Sequence, residues 1–485
     1  MDDLHYAGLV EIGALIGERA ISSVEVTRHQ LARCEALSHL KAFITLTPDH
    51  ALAQADAADR EIAAGRRRGA LHGVPVAMKD LFDLEGVPTT AGLPLRRNAI
   101  AASSATAVRR LIAAGAVILG KTNLTEGAYA EHREPYGTPV NPWNEDRWCG
   151  ASSSGSAVGA AAGLFFAALG TETGGSIRIP SAMNGVTGLK PSWGRVSRAG
   201  VYELAGSLDH TGPIARSVAD AAAMLGAIAG RDPADPTSAR LPVPDYSAET
   251  TKAVKDLRIG VDMDFSAPGV DPEHVRAMEA AAETLRAMGA VIVDIRLPDS
   301  SQVIWDWFDV CAAQNAIVHE RVHAETPEGI GPSLRALVER GQALAGVDYQ
   351  RVINRRDAFR GDFEALFNGV DLVLSPAMAF SAPTIAMMEN FTDDLISGIH
   401  RFTCPFTMSG HPVLSMPGGV HGDGMPINVQ LIGAMFSEAL LVRAGSAFQS
   451  ATGWHRRRPP EAGLIRPAAK GHPAGPTSSP PAGRA

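Results

Sequence analysis

The sequence predicts a single large α/β domain in which helices cover both faces of a mixed, twisted β-sheet. After Gly73, short apolar runs of strand length alternate with amphipathic segments of helix length. Such an alternation favours a mixed or largely parallel sheet that is buried on both faces. The composition is that of a globular chain, with 485 residues, 45% hydrophobic and 20% charged. We expect this domain to span residues 1–458.

Residues 1–70 are predicted to be mainly helical. Ser22 or Ser23 can cap a helix that runs to Leu37, and Thr47 can cap another that runs to about Ala64, because their hydroxyls can accept a free N–H. Beyond them, strands are predicted at 74–78, 117–119, 165–169, 257–261, 291–295, 370–374, 413–416 and 427–432. Helices are predicted at 106–114, 272–288, 302–323 and 348–366.

Two stretches need a separate interpretation. Residues 151–170 contain no charged side chain, yet they open with three serines and are rich in Gly and Ala. We therefore predict a buried helix followed by a buried strand, and no membrane span. Residues 459–485 are rich in Pro, Gly, Ala and Ser without periodicity, which predicts a disordered tail.

Charge and cysteine content bound the function classes. Lys and Arg number 44 against 52 Asp and Glu, so a net charge of −8 disfavours nucleic acid or an anionic membrane as partner. The four cysteines are scattered without a C-x-x-C pair, which is typical of free thiols in a reducing compartment. The acidic start at Met1-Asp2-Asp3 does not resemble a signal peptide. We expect a soluble cytoplasmic protein, with a homodimer left open.

Three short segments contain the residue types that serine-based catalysis needs. One reads Cys-Gly-Ala-Ser-Ser-Ser-Gly-Ser at 149–156, where a buried helix is predicted to begin. The second, Thr173-Gly-Gly-Ser176, is a glycine turn that could point several amides at one oxyanion beside a hydroxyl. The third is a predicted strand that closes on Lys79. A lysine can activate a serine only when neutral, so burial or positive charge must lower its pKa from about 10.4.

Together these segments resemble the amidase-signature family, whose members hydrolyse amides with a Ser–Ser–Lys triad. The family's segments usually read Gly-Gly-Ser-Ser-Gly-Gly-Ser and Gly-Thr-Asp-Thr-Gly-Gly-Ser-Ile-Arg. The resemblance extends from the N-terminal helices to about Arg458 and implies the amidase-signature fold. Further matches, in the same order, are Gly120-Lys-Thr-Asn123, Asn141-Pro-Trp143, Gly188-Leu-Lys-Pro191 and Gly194-Arg-Val-Ser197.

The resemblance implies a role for each matched position. Ser176 falls at the nucleophile, Ser152 at the bridging serine that usually follows a cis peptide bond, and Lys79 at the base. No metal, nucleotide or organic cofactor is implied. The remaining expectations are Thr173, Gly174 and Gly175 as oxyanion-hole amides, Ser153 as a residue that orients Lys79, and Ala128 and Tyr129 in the acyl pocket.

The chain departs from the family pattern at three positions. Ala151 and Ser154 replace glycines, and Glu172 replaces the usual Asp. Ala151 puts in question any positive φ at that position. Glu172 is a longer carboxylate and could shift a contact behind the nucleophile.

Two other motifs suggest different chemistry. Residues 115–122 fit the P-loop expression, but their middle is apolar and strand-like where a phosphate loop needs a flexible turn before a helix, so we reject nucleotide binding. His319-Glu320-Arg-Val-His323 fits H-E-x-x-H and could hold zinc with Glu320 as general base. The alternative that we prefer is an exposed helix face with a structural role and no metal.

The favoured function is hydrolysis of an aryl or acyl amide. A carbamate hydrolase would use the same triad and is the nearest alternative. The second is the A subunit of glutamyl-tRNA amidotransferase, whose members place an Asp shortly before a Phe-Thr-x-Pro stretch. Here His400 stands at that point, before Phe402-Thr-Cys-Pro405. Apolar Phe402, Phe406 and Met408 are expected to favour a neutral substrate, with His400 and Arg401 as possible sources of charge.

Overall fold

A computed structural model describes residues 3–460 of the chain. Its strands form one mixed eleven-stranded sheet in the order β1-β3-β2-β4-β6-β5-β10-β11-β9-β7-β8. The strands are β1 Phe43–Leu46, β2 Pro75–Lys79, β3 Val117–Thr122, β4 Ala167–Glu172, β5 Thr187–Lys190, β6 His210–Ala215, β7 Arg258–Val261, β8 Val291–Asp294, β9 Leu372–Pro376, β10 Val413–Val420 and β11 Pro426–Gly433. Strand β2 runs parallel to both β3 and β4, whereas β4 pairs antiparallel with β6.

The helices connect and cover these strands. In the first half of the described chain they are α1 Leu9–Gly17, α2 Ser23–Ala36, α3 Pro48–Ala63, α4 Thr106–Ala113, α5 Ser154–Ala161, α6 Arg178–Met183 and α7 Val218–Ile228. In the second half they are α8 Met263–Ser266, α9 Pro272–Ala287, α10 Ser301–Val318, α11 Glu320–Glu325, α12 Pro332–Ala343, α13 Gly346–Ala365, α14 Ile385–Met388, α15 Asp393–His400, α16 Cys404–Met408 and α17 Glu438–Thr452. Among the described residues, no helix is long and apolar enough to cross a membrane.

Both faces of the sheet are buried, as the sequence predicts. Alternate residues of one strand point to opposite faces. In β3, Ile118 enters one hydrophobic core while Val117 and Leu119 enter another. Helices α4, α7, α9 and α17 supply the first core, and α5 supplies the second. The predicted α/β architecture is therefore confirmed.

Several local predictions agree closely with the structure. Ser22 caps α2 in a capping box, accepting the N–H of Glu25 at 3.1 Å while the Glu25 carboxylate accepts the N–H of Ser22 at 2.8 Å. The uncharged segment 151–170 forms α5 and most of β4, as expected. The tail predicted from residue 459 lies outside the described residues, apart from Pro459 and Pro460.

Other predictions were wrong in detail. The helix predicted over 302–323 is divided at His319, where α10 ends and α11 begins. Strands β5 and β6 were not predicted because they contain Lys190, His210 and a proline, although every residue in both is buried. Helix α12 was missed as well.

A buried ion pair joins the lysine of the rejected P-loop motif to the strand that carries the candidate base. Lys121 in β3 and Asp80, which follows β2, both have fully buried side chains, and Lys121 Nζ lies 2.7 Å from Asp80 Oδ1. Lys121 also donates to the carbonyl of Pro88 and the hydroxyl of Thr89, both at 3.0 Å. Its three donors are therefore used inside the protein, and none faces a phosphate.

We predict that Lys121→Met lowers the free energy of unfolding by about 3 kcal/mol, because it leaves the Asp80 carboxylate buried without its partner. Urea unfolding followed by tryptophan fluorescence measures the change. The double variant Lys121→Met/Asp80→Asn is the control, and it should recover part of the loss. Equal stability of Lys121→Met and wild type would contradict the assignment.

Candidate active site

Lys79, the last residue of β2, lies at the centre of the candidate site. Its side chain is fully buried. The amine Nζ donates to Ser152 Oγ at 2.7 Å and to Thr171 Oγ1, in the neighbouring strand β4, at 2.9 Å. Both hydrogen-bond partners are neutral hydroxyls and no carboxylate contacts the amine directly, so a charge on Lys79 is costly to bury.

The consequence is a lysine that loses its proton easily. Burial lowers the pKa of Lys79 to about 7, and the negative charges of Asp209 and Glu172 oppose that fall only in part. Near neutral pH a large fraction of the amine is therefore neutral and able to accept a proton. This is the property that a lysine base requires.

The serine segment approaches Lys79 through an unusual backbone. The peptide bond between Ala151 and Ser152 is cis, as the family resemblance implies. The positive φ in this segment lies at Gly150, at 79°, and not at Ala151. The alanine therefore fits its position. Ser154, the second departure, donates its hydroxyl to the Gly150 carbonyl at 2.7 Å and so closes the turn.

Ser153 lies beside Lys79 but contacts a different residue. Its hydroxyl donates to the Thr171 carbonyl at 3.1 Å and accepts the Thr171 N–H at 3.3 Å. The expectation that Ser153 orients Lys79 stays a prediction, and any such effect acts indirectly through Thr171. The direct partner is the Thr171 hydroxyl, and Ser153 fixes the main chain of that threonine. Thr171 belongs to the matched segment 170–178, but its contact with Lys79 was not predicted, because it depends on the pairing of β2 with β4.

The turn after β4 presents Ser176 to a cavity. Ser176 is partly exposed, while Thr173, Gly174 and Gly175 are buried. Its carbonyl accepts the N–H of Ser153 at 3.2 Å, so the turn lies directly against the serine segment. Within the described part of the chain the Ser176 hydroxyl forms no hydrogen bond, which leaves it available to a substrate.

The two glycines of the turn are required by its geometry. Gly175 has a φ of 149°, and a Cβ there would lie 2.4 Å from Ile179. A Cβ on Gly174 would lie 2.6 Å from the Trp307 indole. None of the main-chain N–H groups of residues 174–176 donates to an acceptor among the described residues. The turn therefore offers a row of unused donors, as an oxyanion hole requires.

Glu172, the third departure from the family pattern, anchors this turn from behind. Its carboxylate accepts the N–H groups of Ile177 at 3.0 Å and Arg178 at 3.1 Å, and Arg178 Nε at 2.9 Å. Burial alone would raise the pKa of Glu172, but the Arg178 charge and these hydrogen bonds hold it below its usual value. The longer side chain thus fixes the residues that follow Ser176.

A cavity of about 750 Å³ opens in front of Ser176. Ala128 and Tyr129 line it, at the positions that the sequence predicts. Its walls are largely apolar and include Trp148, Trp307, Phe308, Ile385, Met388, Phe391, Ile396 and Ile399. These residues come from distant segments, and no sequence motif identified them.

Three predicted pocket residues are elsewhere. Phe402, Phe406 and Met408 do not line the cavity and belong to buried cores. Arg401 points away and donates to the carbonyls of Phe265 and Pro268. His400 does line the cavity, but burial lowers its pKa to about 4, so it is neutral near pH 7.

The charged groups at this cavity are few. Arg340 lines it, yet its guanidinium is paired with Asp309 at 2.6 Å. Glu131 and Glu389 also line it and are exposed. The cavity therefore offers no unpaired cation among its described lining residues to neutralise a carboxylate.

Contrary to the sequence prediction, the H-E-x-x-H motif does not lie on one exposed helix face. His319 is fully buried, which corrects its expected place on an exposed face, and the helix break separates it from Glu320 and His323. Among the described residues, no group of three or more His, Cys, Asp or Glu side chains is placed to hold a metal ion.

Known proteins resemble this chain over nearly its whole length. The family model described as Amidase matches residues 25–442. The chain is 44% identical to the "Putative amidase AmiD" of Mycobacterium tuberculosis over 93% of this chain and 95% of that one. It is 38% identical to the A subunit of the glutamyl-tRNA(Gln) amidotransferase of Chloroflexus aurantiacus, over 95% and 99%. A bacterial aryl acylamidase of the amidase-signature family superposes with a TM-score of 0.85 at 26% identity, covering 96% of this chain and 99% of that one. This chain belongs to the amidase-signature family.

Proposed function

We propose that the protein hydrolyses a neutral carboxylic amide through an acyl-enzyme on Ser176, with Ser152 and Lys79 as the proton relay. The observation that carries the proposal is the buried Lys79 amine, 2.7 Å from the Ser152 hydroxyl and with its pKa lowered to about 7. The free cysteines Cys34, Cys149, Cys311 and Cys404, all buried, support a reducing, cytoplasmic location.

The proposed acylation begins with neutral Lys79. Lys79 takes the Ser152 proton while Ser152 takes the proton of Ser176, so the Ser176 oxygen can attack the amide carbonyl. The developing oxyanion is stabilised by the unused N–H groups of the 173–176 turn. The relay then runs backwards, and Ser152 delivers a proton to the departing amine as the C–N bond breaks. Water attacks the acyl ester by the same relay and releases the acid.

The cavity supports a neutral, apolar or aromatic substrate. An aryl or alkyl group can bury its surface against Trp148, Trp307 and Phe308. Free glutamine would instead bring a carboxylate and an ammonium into a cavity whose described lining holds no unpaired cation. Burying these charges without partners costs binding free energy. We therefore favour an aryl or acyl amide over the glutaminase chemistry of an amidotransferase. A carbamate presents a similar carbonyl, and the substrate panel below distinguishes it.

We predict that Ser176→Ala lowers amide turnover by about 10⁴-fold or more, since no other group can form the acyl-enzyme. Phenylmethanesulfonyl fluoride should label wild type on the peptide that contains Ser176, as read by mass spectrometry. Ser333→Ala removes a different serine from the cavity wall and should leave activity near the wild-type value. Labelling of Ser152 instead would overturn the assignment.

The relay makes activity dependent on pH. Because Lys79 must be deprotonated, kcat/KM should rise with pH through a midpoint of about 7 and then level off. Burial lowers the pKa of nearby His132 further below this window, so its titration does not produce the rise. Lys79→Met should lower turnover by about 10³-fold. Lys252→Met, which removes a lysine paired with Glu249, is the control. Activity that falls between pH 6 and 8 would contradict the role.

A panel of substrates tests the pocket. Phenylacetamide and 4-nitroacetanilide should exceed free glutamine in kcat/KM by about 10²-fold or more, because the cavity pairs with neither charge of glutamine. Ethyl phenylcarbamate in the same panel measures the carbamate alternative. Efficient glutaminase activity with little hydrolysis of the neutral amides would show that the pocket has been wrongly interpreted.

A further inference from the structure

The carbonyl groups of the catalytic turn are all occupied from the side opposite to its N–H groups. Each carbonyl from Thr173 to Ser176 accepts a hydrogen bond from another part of the protein. Trp307 Nε1 donates to the Thr173 carbonyl at 2.7 Å, and Cys404 Sγ donates to that of Gly174 at 3.4 Å. The N–H of Ile179 donates to the Gly175 carbonyl at 2.7 Å, and that of Ser153 donates to the Ser176 carbonyl at 3.2 Å. The pattern leaves only the N–H side of the turn free for a ligand.

A hydrogen bond that fixes the carbonyl of one residue also fixes the direction of the N–H group of the next residue. In a trans peptide the C=O of one residue and the N–H of the next point in opposite directions within one rigid plane. The bond from Trp307 to the Thr173 carbonyl therefore fixes the direction of the Gly174 N–H. The Gly174 carbonyl, which accepts from Cys404 and is also hydrogen-bonded by His400, fixes the direction of the Gly175 N–H in the same way. These are two of the amides expected to stabilise the oxyanion.

Both of these donors are side chains that reach the turn from outside it. Trp307 comes from α10 and packs directly on Gly174, where only a glycine leaves room for the indole. The His400 ring lies 5.1 Å from the Trp307 ring at an interplanar angle of 31°, and His400 Nδ1 lies 3.3 Å from Cys404 Sγ. The three side chains form one contiguous support beneath two glycines that have no side chains of their own.

We propose that Trp307 and Cys404 are positioning residues that preorganise the oxyanion hole through the Thr173 and Gly174 carbonyls. This inference rests on the proposed function of Ser176. The indole N–H is the stronger of the two donors, and the thiol is the weaker. Because Trp307 also lines the substrate cavity, the same side chain forms the cavity wall and aligns the amides at its base.

The test compares two tryptophans of the cavity wall. Trp307→Phe removes the donor to the Thr173 carbonyl but keeps an aromatic ring, so kcat should fall by about tenfold or more. KM should change much less, because the misaligned amides weaken binding of the oxyanion in the transition state more than binding of the substrate. Trp148→Phe also removes an indole from the wall, and its effect should appear in KM and not in kcat. A kcat for Trp307→Phe equal to that of wild type, or equal losses of kcat in both variants, would overturn the proposal.

A conservative pair at Cys404 tests the second donor without altering the wall. Cys404→Ser keeps a hydroxyl donor to the Gly174 carbonyl and should retain kcat, whereas Cys404→Ala removes the donor and should lower it by about threefold or more. Equal kcat values for the two variants would refute the role of Cys404, and the pair remains informative if Trp307→Phe does not fold. Ser176→Ala is assayed alongside on the same substrate. Activity retained by Ser176→Ala would contradict the proposed function. If Ser176→Ala is inactive but the Trp307 and Cys404 variants keep the wild-type kcat, only the present inference is contradicted.

Discussion

The burial of the Lys79 amine against two hydroxyls is the constraint on which the catalytic arrangement depends. A buried ammonium needs a carboxylate or several strong acceptors, and here its direct partners are Ser152 and Thr171. The amine is therefore driven toward its neutral form near pH 7. In the proposed mechanism, a neutral amine beside a buried serine hydroxyl is what allows the pair to act as a proton relay.

The rest of the site buries this pair and places the turn that carries Ser176 beside it. The parallel pairing of β2 with β4 brings Thr171 to Lys79. The segment after the cis peptide contacts the lysine through Ser152 and the turn through Ser153. Glu172 and Arg178 form a fully buried ion pair behind that turn. The carboxylate also accepts the N–H groups of Ile177 and Arg178, whereas those of residues 174–176 have no acceptor among the described residues.

The sequence was informative where chemistry is local and weak where it depends on packing. Motif matches led to Lys79, Ser152 and Ser176, and the capping of α2 followed from Ser22 and Glu25. Strand β6 escaped prediction because a buried strand with His210 and Gly212 has neither an apolar run nor alternation. The end of α10 at His319 was not predicted either, because the helical pattern of the sequence continues across it.

The residues that line the pocket were also difficult to predict, because most of them come together only on folding. Ala128 and Tyr129 were expected from their place after a matched segment, but Trp148, Trp307 and Phe391 meet only in the folded chain. Phe402 and Phe406 were expected in the pocket as apolar residues, and instead they pack against Phe265. Aromatic residues in a sequence indicate burial, but not whether the buried surface faces a core or a ligand.

The charge state of Lys79 is the most direct test of this account. Lysine labelled with carbon-13 at Cε reports protonation through its NMR chemical shift, and comparison with Lys79→Met identifies the Lys79 signal. The account predicts a titration of that signal with a midpoint near pH 7. A Lys79 signal that stays in the ammonium form up to about pH 10, as for an unperturbed lysine, would contradict it.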